Sequence, residues 1–315
     1  MKRKPSDINL LLAVDKPVAI SSHDAVARVR RCMGERRVGH AGTLDPLASG
    51  VLVIGVGQAT RLLGRITLDR KGYLARIAFG SETNTDDAEG EVTRRVDSAP
   101  ELSDPAFAKR VLAGFTGAQQ QVPPAFSAIS VDGVRSYKRA RAGEEVSLPA
   151  RPIEVFSAGL ISIEAGAEGE GPIWTVAFDV SKGTYIRALA RDIGRAACGA
   201  AHLCDLRRTS SGSIGLRDCI DFDALDRETA RARCLDPVAA LGFPVFELDE
   251  AALADVLLGR AIAQRACISR DPSLTVADGA TVALTNAGEL RAIAVADGSR
   301  FRMNDVFPQG IGGVL

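Results

Sequence analysis

Nothing in the 315-residue chain approaches the 18 or more consecutive apolar residues that cross a bilayer as a helix. The basic, polar start MKRKPSDIN also lacks the apolar segment of a secretion signal, so the expectation is a cytoplasmic chain with no membrane attachment. Six cysteines, at 32, 198, 204, 219, 234 and 267, form no CxxC pair. A zinc set built on Cys198, His202 and Cys204 lacks an obvious fourth ligand, and no metal is expected. There is no GxGxxG between a strand and a helix, which leaves a dinucleotide-binding fold without support, and GVGQAT is too short to supply it. The stretch TNTDDAEG lacks the twelve-residue spacing and closing glutamate of a calcium loop and reads as a polar turn. No internal repeat and no low-complexity tract interrupts the chain.

Net charge is absent too, with 39 basic and 39 acidic residues, but the balance conceals segregation. Residues 1–76 hold 14 Lys or Arg against 6 Asp or Glu, and residues 77–104 hold 2 against 8. Residues 182–208 are basic again, 6 against 2, and residues 218–250 acidic, 3 against 9. If the basic segments share a face they make a polyanion-binding surface on a neutral protein; the bland reading is evenly solvated charge.

With 46% hydrophobic residues the chain has material for one large core, or a large domain and a small one. LLLAVDKP predicts a strand ending at Pro17, and SSHDAVARVRRCMG a helix capped by Ser21 or Ser22 with Val26, Val29 and Met33 inward. VLVIGVG predicts a core strand, ATRLLGRI a short helix, and KGYLARIAFG a strand in which Tyr73, Ala75, Ile77 and Phe79 alternate with the other face. A helix follows around 104–113, then a short one at SYKRARAG. VFSAGLISIEA and PIWTVAFDV predict long strands, and Thr184 is placed to cap a helix through YIRALARDIGRAA. Strands with helices between them predict an α+β domain with a central mixed, largely antiparallel sheet. Beyond Pro244 the short strands TVALTN and LRAIAVA predict a small β-rich module.

The stretch GHAGTLDPLASG, residues 39–50, packs three glycines, a histidine and an Asp-Pro pair into twelve residues. Glycines at 39, 42 and 50 permit positive φ or close backbone approach. Asp45-Pro46 reads as a helix N-cap followed by the first helical residue. An aspartate here also suits attack on a sugar or base, provided a cation or donor keeps it ionised once water is excluded. Lys16 closes the first strand, Tyr73 opens another, and SKGTYIRALARDIG presents Lys182, Tyr185 and Arg187. Arg187 suits a planar salt bridge and Tyr73 base stacking. Each has a structural alternative: a solvated strand end for Lys16, core packing for Tyr73 and Tyr185, an exposed helix position for Arg187.

VDKP, GHAGTLDPLASGVLVIGVGQATRL, KGYLARIAFG and SKGTYIRALARDIG, in this order, closely resemble the motifs of the bacterial tRNA pseudouridine-55 synthases of the TruB type. CGAAHLCDLRRTSSGSI resembles the closing portion of their catalytic domain. The resemblance implies that Asp45 is the catalytic residue and Tyr73 the base-stacking tyrosine. It implies that Arg187 pairs with the aspartate, Tyr185 is the second active-site tyrosine, and His40 helps place a flipped nucleotide. It further implies an isomerase that needs no cofactor and acts on tRNA through the T arm, with the acceptor stem as a further contact and no obligate protein partner. Arg28, Arg31, Arg36 and Arg37, with Arg30 beside them, then acquire a role in phosphate contact, and Lys16 one near the substrate. The implied domains are residues 1–244, catalytic, and 245–315, a small RNA-binding module of the PUA type. Two alternatives stand beside this reading: a guide-RNA-dependent pseudouridine synthase acting on ribosomal RNA, disfavoured by the lack of long basic extensions, and a noncatalytic RNA-binding protein.

Overall fold

The computed structural model describes residues 6–66, 70–127, 129–131, 133–142, 144, 147–167, 170–197, 199–271, 273 and 275–314. The chain forms two compact units. One gathers Met1–Pro46, Gly50–Leu68 and Gly212–Leu315, and the other Leu47–Ser49 with Asp69–Ser211.

In the first unit, β1 (Leu10–Lys16) runs antiparallel to β3 (Ala48–Val56), in register from Leu10 opposite Val56 to Lys16 opposite Gly50. Between them lie α1 (Ser22–Met33) and β2 (Val38–Ala41), which pairs with β3 on the other side. Helix α1 begins where Ser21 and Asp24 exchange hydrogen bonds in a capping box, and Gly34 ends it in the left-handed region. Val26, Val29 and Met33 are buried, as their spacing predicts. A 3-10 turn over Gly57–Arg61 leads into α2 (Leu63–Ile66).

The second unit is built on β4 (Lys71–Phe79), in which every second residue from Lys71 is buried, Tyr73 among them. After the β5 (Ser81–Thr83) and β6 (Val92–Arg95) hairpin come α3 (Pro105–Ala113), capped by the Asp104 carboxylate, and β7 (Gly117–Gln121). A small pair, β8 (Ser130–Val131) and β9 (Val134–Arg135), precedes α4 (Ser136–Arg141). Then follow β10 (Arg151–Glu164), β11 (Ile173–Val180), α5 (Ile186–Ala196) and β12 (Ala201–Ser211). The sheet order is β12, β4, β11, β10, β7, and every pair is antiparallel. Trp174 is fully buried at its centre, its ring 4.5 Å from that of Phe79 and its Nε1 donating to the Leu102 carbonyl at 2.7 Å. Burying so large a ring requires that partner, because an unpaired indole N–H in a dry core is costly.

The chain then returns to the first unit. After β13 (Ile214–Gly215), β14 (Ile220–Asp221) pairs parallel with β1. Helices α6 (Arg227–Ala232) and α7 (Pro237–Leu241) lead to β15 (Val245–Leu248), α8 (Glu250–Leu257), β16 (Ile262–Ala263) and β17 (Cys267–Ser269). The last strands are β18 (Thr281–Asn286), β19 (Glu289–Asp297) and β20 (Arg300–Ile311). They form a six-stranded sheet in the order β16, β20, β19, β18, β15, β17, antiparallel except for β15 beside β18. This is the β-rich module that the turn-punctuated tail predicts. One face of it joins a core shared with the amino-terminal strands: Leu11, Val51, Val53, Leu62 and Ile66 cluster with Ile293, Phe307 and Ile311. The α+β class and the mixed, mainly antiparallel sheet pairing are as expected.

Two local expectations are corrected. Pro46 does not begin a helix: Pro46 and Leu47 form a turn, and β3 starts at Ala48. Pro46 fits the turn for the reason that suggested a helix start, a fixed φ compatible with both. Thr184 does not cap α5 either; Tyr185 holds the cap position without a side-chain bond, and the Thr184 hydroxyl lies 3.4 Å from that of Ser181.

Candidate active site

In the first unit, the residues singled out around Asp45 share one small structure. Gly42, in the link from β2 to β3, and Gly50, near the start of β3, adopt φ of 75° and 103°, conformations that L side chains resist. Asp45 is half-buried between two fixings. On one side, the Leu44 N–H donates to Ser22 Oγ at 2.8 Å and the same hydroxyl donates to the Leu44 carbonyl at 3.0 Å. On the other, the Ala19 N–H donates to the Pro46 carbonyl at 2.9 Å. Both use backbone groups of the neighbours rather than the Asp45 carboxylate.

Lys16 is fully buried, which removes the solvated-strand-end alternative. Its Nζ donates to the carbonyls of Pro17 and Ile20, each at 2.8 Å, and so folds the turn that carries Ala19. A buried ammonium needs such acceptors to offset its lost hydration. The half-buried His40 stands in β2, its ring edge-on to His23 at 5.6 Å. Of the arginines, Arg31 and Arg36 are exposed, Arg37 is half-buried, and Arg28 donates to the Asp223 carbonyl while lying over the Phe222 ring. Arg30 donates to the Val38 carbonyl.

In the second unit, Tyr73 lies on the buried face of β4, 9% exposed, opposite Phe178 on β11 and the fully buried Arg208 on β12. Tyr185 is held by Gln121: the Gln121 amide donates to the Tyr185 carbonyl at 3.1 Å and its oxygen accepts the Tyr185 N–H at 2.9 Å. A single glutamine in QQQVPP carries no local sign of that double bond.

Arg187 is buried rather than exposed on its helix. Its guanidinium reaches the Thr85 carbonyl at 2.9 Å, the Phe126 carbonyl at 3.0 Å and Asp87 at 3.3 Å. One turn on, Arg191 reaches Asp86 at 2.9 Å, Asp192 at 2.8 Å and the Val122 carbonyl at 2.9 Å. A further turn on, Arg195 forks onto Glu82 at 2.7 and 3.0 Å. The Arg195 hydrogen bonds hold the Glu82 carboxyl below its ordinary range, and Glu82 raises Arg195 in return. Burial pushes the Asp86 carboxyl up to about 6, against the pull of Arg191.

Much of the charge segregation is thereby internal pairing: three basic residues of 182–208 face three acids of 77–104. TNTDDAEG is a polar turn as expected, yet Thr83, Asp86 and Asp87 in it are buried. Arginines at 187, 191 and 195, repeating at the helical period, were the available signal for this ladder. His202 braces the start of β12, its Nδ1 3.0 Å from the Ser81 carbonyl. Cys198 lies outside the described residues. No group of three or more candidate metal ligands occurs among the described residues.

Comparison with known proteins identifies the family. A family model described as TruB family pseudouridylate synthase (N terminal domain) matches residues 30–186. The tRNA pseudouridine synthase B of Mycobacteroides abscessus is 45% identical over 253 residues, 80% of this chain and 84% of that one. The protein of the same name from Paenarthrobacter aurescens is 43% identical over 300 residues, 95% of each. Among solved structures, an H/ACA RNP bound to a substrate RNA containing 2′-deoxyuridine shares the fold, with a TM-score of 0.68 at 22% identity over 95% of this chain and 84% of that one. With such identity over most of its length, the chain belongs to the TruB family of pseudouridylate synthases.

Proposed function

We propose that this protein is a tRNA pseudouridine synthase that isomerises the T-loop uridine, position 55 in tRNA numbering, with Asp45 as its catalytic carboxylate. The observation that carries the reading is the double fixing of the Asp45 loop: the chain on either side is held by Ser22 and Ala19. Relatives named tRNA pseudouridine synthase B, matched over 80% and 95% of this chain, support tRNA as the substrate.

The uridine is stacked in its loop and must be extruded to react. His40, two residues before the glycine that turns the chain toward Asp45, braces the vacated stack. Tyr73 holds the face of the uracil, and Asp45 stays ionised when substrate excludes water, the role that the family resemblance gives to Arg187. Asp45 is the reacting carboxylate, at the sugar or at the base. The N1–C1′ bond breaks, the uracil turns in place and the C5–C1′ bond forms; C5 gives up a proton and N1 gains one. The product is an isomer, so the balance requires no redox partner. One carboxylate suffices because the departing base is recaptured, whereas sugar hydrolysis uses two with water admitted between them.

Exposed Arg31 and Arg36 contact T-arm phosphates in this reading. Residues 1–244 carry the catalysis, and residues 245–315, as a PUA-like module, extend the contact toward the acceptor stem. The protein works in the cytoplasm. The test is to incubate purified protein with an unmodified tRNA transcript and map pseudouridine at single-nucleotide resolution. Product confined to the T-loop uridine is expected; product elsewhere, or none from a folded protein, contradicts the assignment.

A further inference from the structure

Both fixings of the Asp45 loop originate in the turn before α1 and in the first residue of α1. Ser22 is 1% exposed, and its single hydroxyl serves both backbone groups of Leu44, accepting at 2.8 Å and donating at 3.0 Å. Two bonds from one oxygen fix the orientation of the peptide units at Leu44 as well as their location. The Leu44 side chain is itself buried, so the residue before Asp45 is held at three points. Across the turn, Ala19 sits at φ 66°, against the preference of an L residue, and in that conformation its N–H meets the Pro46 carbonyl. Strain retained beside a candidate catalytic loop is compatible with a positioning task.

We propose that Ser22 is a positioning residue for Asp45, with the Ala19 N–H as its counterpart; the inference rests on the reading of Asp45 as the catalytic carboxylate. Removing the hydroxyl strips a buried N–H and a buried carbonyl of their partner, and the loop must shift to satisfy them. The neighbouring Ser21 has a different task, since its side chain caps α1.

The experiment measures kcat and KM on a tRNA transcript, together with Tm, for Ser22→Ala, Ser22→Thr, Val29→Ala and Asp45→Ala. Val29 is fully buried in the same helix, so Val29→Ala reports what lost stability alone does. Because a misplacement of about 1 Å costs on the order of a hundredfold in rate, Ser22→Ala is expected to lose at least about tenfold in kcat with KM changed by less than about twofold. Ser22→Thr, which keeps the hydroxyl, is expected to regain most of that loss, and Val29→Ala to lower Tm while keeping kcat. The proposal is overturned if Ser22→Ala keeps the wild-type kcat, or loses activity only in proportion to its unfolded fraction. Should Ser22→Ala fail to fold, Ser22→Cys keeps the size and weakens both bonds, and a wild-type kcat there overturns the proposal equally. An active Asp45→Ala defeats the underlying reading, whereas an inactive Asp45→Ala beside a fully active Ser22→Ala defeats the positioning role alone.

Discussion

Arg187 and Arg191 stand one helical turn apart on α5, and each ties an acid of the 83–90 turn to a carbonyl of the 122–127 connection. Arg187 joins Asp87 to Phe126, and Arg191 joins Asp86 to Val122. Two stretches without regular structure are therefore anchored to the helix that also carries Tyr185. The guanidinium suits this because it presents several donors spread in one plane, whereas the donors of a lysine radiate from a single nitrogen and reach less far apart.

Arg191→Ala leaves the buried Asp86 carboxylate uncompensated, and truncating one member of a buried pair costs about 3–5 kcal/mol. Urea unfolding is expected to show a loss of that order. Arg191→Lys is expected to fall between wild type and Arg191→Ala.

The same pair sets a pH dependence. The folded-state pKa of Asp86 is raised to about 6 from 3.8, so between these values the folded protein binds more protons than the unfolded chain. By linkage the contribution of this group to stability is full below about pH 4 and falls as pH rises through 6. The stability of wild type relative to Asp86→Asn, followed by urea titration from pH 4 to pH 7, is expected to decline across that window. A rising difference contradicts the assignment.

Gln121→Ala removes both of its bonds to the Tyr185 backbone. The cost is about 1–3 kcal/mol for the two lost bonds, the half-buried Tyr185 N–H losing its partner while the carbonyl keeps the Leu189 N–H at 3.1 Å. Thermal unfolding is expected to register it, with a lower single-turnover rate on tRNA through the displaced Tyr185.

The arginines of the amino-terminal segment divide into two kinds. Arg28 is engaged with the Asp223 carbonyl and the Phe222 ring, so Arg28→Ala is expected to lower stability. Arg31 and Arg36 are exposed, so Arg31→Ala and Arg36→Ala are expected to leave stability alone and weaken tRNA binding. Each is expected to reduce the slope of log affinity against log salt by about 1. An affinity loss independent of salt counts against phosphate contact.

What the sequence discloses and what it withholds differ in range. The alternation in β4, the cap and inward stripe of α1 and the turn-bounded strands of the tail follow from periods of two or 3.6 residues and from neighbours a few positions apart. Asp86 and Asp87 carry no such mark: in TNTDDAEG they resemble any solvated acids, because the arginines that bury them lie about 100 residues away. Lys16 is equally silent, since nothing local says that an amine at the end of a strand will be buried and turned back onto the Pro17 and Ile20 carbonyls. Asp45-Pro46 suggests a helix start because Pro fixes one dihedral that helix and turn share; the pairing of β2 with β3, set by residues on either side, makes it a turn.

The central claim is that Asp45 carries the chemistry of a T-loop uridine isomerase. Its most direct test is a single-turnover assay of Asp45→Asn and wild type on an unmodified tRNA transcript, with tRNA affinity measured in parallel and pseudouridine mapped by position. The account predicts that Asp45→Asn binds tRNA as wild type does and forms no pseudouridine at position 55; formation there at the wild-type rate contradicts it.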